Sequence, residues 1–426
     1  MAVEGGLDWT LKTIYPDGRP EFLGWQDTPM LAMVKKRPDF GGREWKWAAY
    51  HGQPQNRSAD ALTAFTGNTQ QVGKEFVINR VQNYGSFKIQ RETILASQKV
   101  GSDSYIDDLK AGIDGTMNQF MLDMYYDLFL DGSGVRGQIN SISSTTIAND
   151  TVTLTDISRA IYYEEGQVYV FSADDGGNVA GTPLRGSSAT NGLSTAATAA
   201  DVAIVVSVNY LTGVITFDRD LSTIIGLSPN DYLYMNGDRG KKPTGLLGWC
   251  PKTDPTAGDS FFGVDRSSNP VRLAGIRADK VGGSISEKVL HMIKVASIQG
   301  VSFPVVIMHP DNVETLTLEL GAKQHLPVVD VPSYEMANVY FKGIQIHGHG
   351  RSVVVVSDRA CQVDRAWGLN PAELEIDSLG GCPEIIRMNN GQFFQETDDS
   401  FRVRVGGYLQ YRCPTPKKIV TSDLSV

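Results

Sequence analysis

The chain is poor in features that would betray an enzyme, a secreted protein or a membrane protein. Only 4 of its 426 residues are cysteine (Cys250, Cys361, Cys382 and Cys413), and none stands in CxxC spacing. That argues against a disulfide framework and fits a reducing compartment. No segment approaches the roughly 20 uninterrupted apolar residues of a membrane span, so no membrane partner is expected. The start, MAVEGGLDWTLK, has no basic stretch leading into an apolar one, so no secretory leader is expected either. The formal net charge is −9, which sets bulk electrostatics against tight nucleic-acid binding. The basic clusters Lys35-Lys36-Arg37 and Arg239 to Lys242 read as solvated loops. P-loop, GxSxG and catalytic-cysteine signatures are missing.

The partial motifs fail on context. Gly132-Ser133-Gly134-Val135-Arg136-Gly137 fits GxGxxG, but that fingerprint needs a strand before it and a helix after it. Here a helix precedes and β-type sequence follows, so it reads as a helix stop, with Gly132 as the C′ residue, and a loop. His347-x-His349 would put two imidazoles on one strand face; Asp358, Cys361 and Asp364 lie nearby, yet no third ligand has persuasive spacing. His309 and His325 are isolated. The pairs Asp398-Asp399, Glu164-Glu165 and Asp174-Asp175 read as solvated turns. Asn56-Arg57-Ser58 and Asn149-Asp150-Thr151 are glycosylation sequons without meaning unless the chain is secreted. No enzyme, cofactor or metal is expected.

What the chain does have is a long polar hairpin. Arg43–Tyr50 alternates, with Trp45 and Trp47 on one side and Glu44 and Lys46 on the other. A return arm over Phe76–Glu92 repeats the period, with Phe76 and Ile78, then Phe87 and Ile89. The tip, Gly52–Gly73, is rich in Gly, Gln, Asn and Thr. At about 3.3 Å per residue such an arm reaches on the order of 50 Å, with no core of its own in sight. That predicts an arm laid over a neighbouring subunit. An amphipathic helix follows, capped by Ser102 or Asp103 and expected to run to Asp131, with Leu109, Ile113, Met117, Phe120, Met124 and Leu128 on one stripe. At about 1.5 Å per residue it is a rod of roughly 40 Å.

The remaining chain changes character twice. From 141 to 238 it is rich in Thr, Ser, Ala and Gly, with short β-runs (TVTLT, QVYVFS, VAIVVSV, GVITF, YLYM) between turn signals. This predicts an inserted β-barrel or sandwich, with an exposed loop near Gly186–Ala200. From about Leu246 helix and strand alternate. Ser284-Ile285-Ser286-Glu287 is a capping box, Val305–Met308 a strand, Pro310 a helix start, and Val339–Ile346, Ser352–Ser357 and Phe401–Arg412 further strands. The fold class is α+β.

This order of parts resembles the major capsid proteins of tailed phages, with their Hong Kong 97-like fold. The likeness is carried by Phe303–Leu320 (FPVVIMHPDNVETLTLEL), Gly343–Asp358 (GIQIHGHGRSVVVVSD) and Phe401–Val420. The resemblance implies an N-terminal arm (1–40), an extended hairpin or E-loop (41–92), a spine helix with peripheral domain (93–140), the insertion (141–238), a peripheral and axial α+β domain (239–400) and a closing strand with tail (401–426). It implies Trp45, Trp47, Phe76 and Ile78 facing a neighbour, and Arg80 and Arg91 ion-paired with it. Lys46, Lys74 and Lys88 are available for covalent crosslinking, which some relatives use.

The implied function is a virion shell of hexamers and pentamers around double-stranded DNA, assembled in the host cytoplasm. Copies of the chain itself, a separate scaffolding protein, a portal protein and a decoration protein are the implied partners, with DNA touched only weakly and non-specifically. The scaffold is expected to be separate because the chain lacks the long charged helical segment of fused-scaffold relatives. Rival readings are an encapsulin-like nanocompartment shell, a metal-dependent hydrolase using His347 and His349, and a carbohydrate-binding or adhesive β-rich protein.

Overall fold

The computed structural model describes residues 28–67, 70–91, 108–143, 149–176, 184–186, 201–321, 328–330, 342–386, 394–395 and 400–425. Most of the expected N-terminal arm, the start of the long helix, the Gly186–Ala200 loop, His325 and Asp398-Asp399 lie outside them. Two units divide the described residues: one falls within 82–124 and 381–408, the other within 28–81, 125–380 and 409–425. The strand Ser400–Arg412 and the helix Asp108–Asp127 each begin in the first unit and end in the second. Among the described residues no helix is long and apolar enough to cross a membrane.

In the first unit, Val81–Gln90 and Glu384–Ile386 pair with the Ser400–Arg412 strand. Tyr84 lies over Gly406, where an added Cβ would stand 2.5 Å from its ring. The Tyr84 and Tyr408 hydroxyls are 2.9 Å apart. The described helix has 20 residues, about 30 Å at 1.5 Å per residue. It stops at Asp127, so Gly132 is not its C′ residue. Instead Gly132, at φ +88, passes so close to Thr244 that a Cβ would sit 2.7 Å from its hydroxyl. Positive φ and lack of space both demand glycine there.

The second unit holds a closed six-stranded barrel, in the order Tyr232–Met235, Val135–Ser143, Thr151–Leu154, Val214–Phe217, Ala203–Asn209, Val168–Ser172 and back. Closure leaves no sheet edge to cover. Ile139, Val152, Tyr169, Phe171, Val205, Ile215, Phe217 and Leu233 are buried. The first barrel strand therefore starts at Val135, inside the GxGxxG stretch. The barrel's two ends meet: a Cβ on Gly134 would lie 2.5 Å from the Asp238 carbonyl oxygen. Arg136 brings a buried charge to this junction, 3.0 Å from Asp127, with Lys242 3.7 Å from the same carboxylate.

The same unit contains a seven-stranded mixed sheet, in the order Ile276–Arg277, Val420–Asp423, Arg365–Leu369, Val305–Met308, Arg351–Ser357, Lys342–Gly348 and Val328–Asp330. Val305–Met308 and Arg365–Leu369 are buried throughout, as inner strands covered on both faces are. Helices Ile285–Ile298 and Pro310–Gly321 supply Val289, Met292, Ile293, Ala296 and Leu316 to a core with Val306, Met308, Val353, Val355 and Val420. Ser284 does cap the first helix, accepting from the Glu287 N–H at 3.4 Å. The Glu287 carboxylate also reaches Lys280 at 2.6 Å. Glu319 of the neighbouring helix adds a further cap, accepting from the N–H groups of Ile285 and Ser286 at 3.0 and 2.9 Å.

Candidate assembly surface

The hairpin forms as the alternation predicts, but it is shorter and better rooted. Glu44–Gly52 pairs antiparallel with Val72–Asn79, Trp47 opposite Phe76 and Trp45 opposite Ile78. Pairing ends at Arg80, beyond which Val81–Gln90 joins the first unit's sheet. Nine residues at about 3.3 Å give an arm of roughly 30 Å, not 50 Å. The expected tip contains a short helix, Ala61–Phe65, whose N-cap Asp60 accepts from the Thr63 N–H at 2.8 Å.

The root is an aromatic cluster. Trp47 stacks on Phe76 with centroids 5.2 Å apart, and Trp249 lies 6.1 and 5.8 Å from them. Phe261 and Phe262 close on Trp249 at 5.0 and 5.4 Å. The Trp249 indole N–H donates to the Tyr411 carbonyl at 3.1 Å. Phe262 and Gly263 form the turn of a small hairpin with φ of +49 and +81, the pattern of a tight type I′ turn. A phenylalanine is costly there. Its position brings the Phe262 carbonyl to the Val77 N–H at 3.0 Å, closing part of the hairpin's outer edge.

A buried cation fixes the other side of the root. The Arg412 guanidinium lies 5.0 Å from the Trp45 ring centre and 5.7 Å from that of Trp47. It pairs with Glu375 and Asp377, both buried, and Arg37 adds a second cation 2.7 Å from Glu375. These acids sit on Glu375–Ser378, between the parallel strand Lys35–Arg37 and the antiparallel end of Ser400–Arg412. A desolvated cation over an indole face is the stronger form of cation–π contact.

The sequence-predicted contact residues thus divide. Phe76 and Ile78 are both 0 % exposed, covered by their own chain, and do not face outward. The expectation that the hairpin lacks a core fails because Trp249 and Phe262, distant in sequence, supply one. Trp45 and Trp47 are half-buried in the same cluster. Arg80 donates to the Phe40 carbonyl and lies 5.1 Å over its ring, so its polar contact is internal. Arg91, in the first unit, is exposed. The outward apolar groups are ones that pattern reading passed over: Tyr50, Leu62 and Phe65 are 67 %, 75 % and 77 % exposed. The signal was a short apolar run, ALTAF, inside an otherwise polar tip.

The histidine pair does not share a strand face. His347 lies on Lys342–Gly348, whereas His349 occupies the following turn at φ +49. Among the described residues no group of three or more His, Cys, Asp or Glu side chains is placed to hold a metal.

No protein-family model and no curated protein matches the sequence. Solved structures do match. A chain of the cyanophage A-1(L) capsid asymmetric unit superposes with a TM-score of 0.53 at 13 % identity, covering 95 % of this chain and 96 % of that one. The chain has a phage-capsid fold. The capsid of a native GTA particle (TM-score 0.45, 9 % identity, 100 % and 98 % covered) is also similar. So is the SrpI encapsulin of Synechococcus elongatus (TM-score 0.43, 7 % identity, 95 % and 89 % covered). The assignment rests on the first. In the context of the capsid fold, the aromatic root is an internal mount that holds an arm with an apolar, uncovered end.

Proposed function

We propose that this chain is the major capsid protein of a tailed phage, assembling through hexamers and pentamers into the icosahedral shell that encloses double-stranded DNA. The single observation that carries the proposal is the capsid fold spanning 95 % of the chain. The exposed apolar end of a rigidly rooted hairpin supports it, because such a patch is costly on a lone soluble subunit. In this reading the hairpin is the E-loop of a Hong Kong 97-like subunit and Asp108–Asp127 its spine. The seven-stranded sheet is the axial part, and the sheet around Ser400–Arg412 the peripheral part. The shell role is structural, with no catalytic step.

The partners in this reading are other copies of the chain, a separate scaffolding protein, a portal and a decoration protein. A chain of net charge −9 touches packaged DNA weakly, since it has few cations to displace counterions. The shell is part of the virion and assembles in the host cytoplasm. The barrel projects outward and contacts neighbouring capsomers or decoration proteins. Its adjacent ends suggest the clean test: excise 135–237 and join Gly134 to Asp238. Shells of normal stability after that excision would remove the barrel's assembly role.

The principal test is negative-stain microscopy with native sizing of the overexpressed protein, alone and with a co-encoded scaffold candidate. Closed shells or five- and six-membered rings are expected. A well-folded, stable monomer under both conditions would overturn the reading.

A further inference from the structure

The hairpin end and one cleft of the same unit are complementary, and among the described residues neither is filled. The cleft, of about 1120 Å³, opens between the barrel and the seven-stranded part. Its barrel wall carries Ile157, Tyr210 and Leu211, respectively 48 %, 39 % and 90 % exposed. Leu211 is at the tip of the turn joining two barrel strands, and the ring of Tyr210 is held by a 3.4 Å hydrogen bond to the Tyr163 carbonyl. Other outward apolar side chains of the barrel, Ile204 and Val206 at 39 % and 45 % exposed, stand on the strand Ala203–Asn209 and do not line the cleft.

The charges also match. Asp131, Asp156, Asp175, Asp311 and Asp364 line the cleft against two fixed cations, Arg159 and Lys252. Lys252 pairs with Asp364, and Arg159 lies 3.5 Å from Asp156, so the balance is acidic. Between His51 and Lys74 the hairpin end carries Arg57 and Lys74 against Asp60 alone. The Asp60 carboxylate is occupied by the Thr63 N–H and hydroxyl at 2.8 and 2.7 Å. The hairpin end therefore offers Leu62 and Phe65 beside the Arg57 cation, the Asp60 carboxylate being turned onto its own helix start, and the cleft offers an apolar wall with a net negative charge.

We infer that the hairpin end of one copy seats in this cleft of a second copy, Leu62 and Phe65 against Ile157, Tyr210 and Leu211, with Arg57 toward the acidic side at Asp175 and Asp311. The inference rests on the shell reading and specifies its contact. It gives the barrel a second use: the inserted domain supplies one wall of the receptor for the arm. Apolar burial at that contact supplies affinity, and the acidic rim fixes orientation.

The test mixes two purified full-length variants, Leu62→Cys and Leu211→Cys, so that a disulfide between them can form only between copies. A third variant, Ile225→Cys, replaces Leu211→Cys as a control elsewhere on the barrel. Particles are assembled, mildly oxidised, and run on non-reducing gels. The expected result is a cross-linked band for Leu62→Cys with Leu211→Cys and little for the control, together with at least a tenfold loss of assembly in Leu62→Asp/Phe65→Asp. Particles that form normally but link Leu62→Cys only to the control position, or to neither, would overturn the seating while leaving the shell reading intact. Unassembled, well-folded monomers with no cross-link would overturn both. Charge reversal at Arg57→Glu should impair assembly and recover with Asp175→Lys/Asp311→Lys; no recovery with intact folding would remove the charge contact.

Discussion

Trp47 and Phe76 face each other across the hairpin with ring centroids 5.2 Å apart and planes 18° from parallel. Phe76 is fully buried beneath Trp249, whereas Tyr50, three residues beyond Trp47, is mostly exposed. The arm thus changes from core to surface within a few residues. The root sets its direction, and the end remains available.

That division predicts two separable phenotypes. Phe76→Ala removes a ring from a closed cluster and should cost about 3–5 kcal/mol of folding stability. Leu62→Ala removes an exposed side chain and should change folding by less than about 0.5 kcal/mol. Urea unfolding of unassembled subunits measures both. Equal destabilisation by the two would mean that the hairpin end is covered by its own chain.

Arg412 yields the second prediction. It is the shared partner of buried Glu375 and Asp377 and lies against two indoles. Arg412→Met leaves the Asp377 carboxylate desolvated and Glu375 with Arg37, so a loss of about 3–5 kcal/mol is expected. Arg412→Lys keeps the charge but loses the planar fork and the stacking, so it should rescue only in part. A double-mutant cycle with Asp377→Asn should show coupling; additive effects would mean that the pair is incidental.

The sequence revealed the hairpin because alternation at Trp45, Trp47, Phe76 and Ile78 is a local signal. The barrel was legible for the same reason: short β-runs between turn residues need no knowledge of distant partners. The root was not legible, because Trp249, Phe262 and Arg412 lie more than 150 residues from the strands they hold. The Glu319 cap is another case. Ser284 and Glu287 carry the box spacing, but the carboxylate that caps the Ile285 and Ser286 N–H groups comes from a second helix more than 30 residues on. Similarly, the apolar end went unread because two large side chains in a polar loop look like ordinary exposure until the structure shows nothing beneath them.

Cysteine chemistry gives a third prediction. Burial pushes the Cys250 thiol up to about 12, raises Cys413, and raises Cys361 with help from nearby Asp358 and Asp364. All three are buried, whereas Cys382 is half-buried. A thiol reagent at pH 8 should therefore modify one cysteine per folded chain readily, and four only after denaturation. Mass mapping should place the early label on Cys382. Fast labelling of Cys250 would show that the aromatic root opens.

The last prediction concerns acid. His309 immediately precedes Pro310–Gly321, and its Nδ1 accepts from the Asp311 N–H at 3.3 Å, which requires the neutral ring. Burial lowers its pKa below the usual value; the nearby Asp311 and Asp156 carboxylates oppose that shift without reversing it. Asp311 lies 3.3 Å away, but its side chain is 72 % exposed, so water screens its pull. The unfolded chain then binds this proton more readily than the folded one. The stability contribution is complete above the ordinary histidine range and is lost as pH falls through the lowered value. Protonation also removes the acceptor and places a cation at the positive end of a helix dipole. His309→Asn keeps a capping oxygen without the titration, so its unfolding free energy should fall less steeply between pH 6.5 and 5, by up to about 1.4 kcal/mol per pH unit. Chemical denaturation across that range measures the slope. Identical slopes in the two proteins would assign the acid sensitivity to other groups.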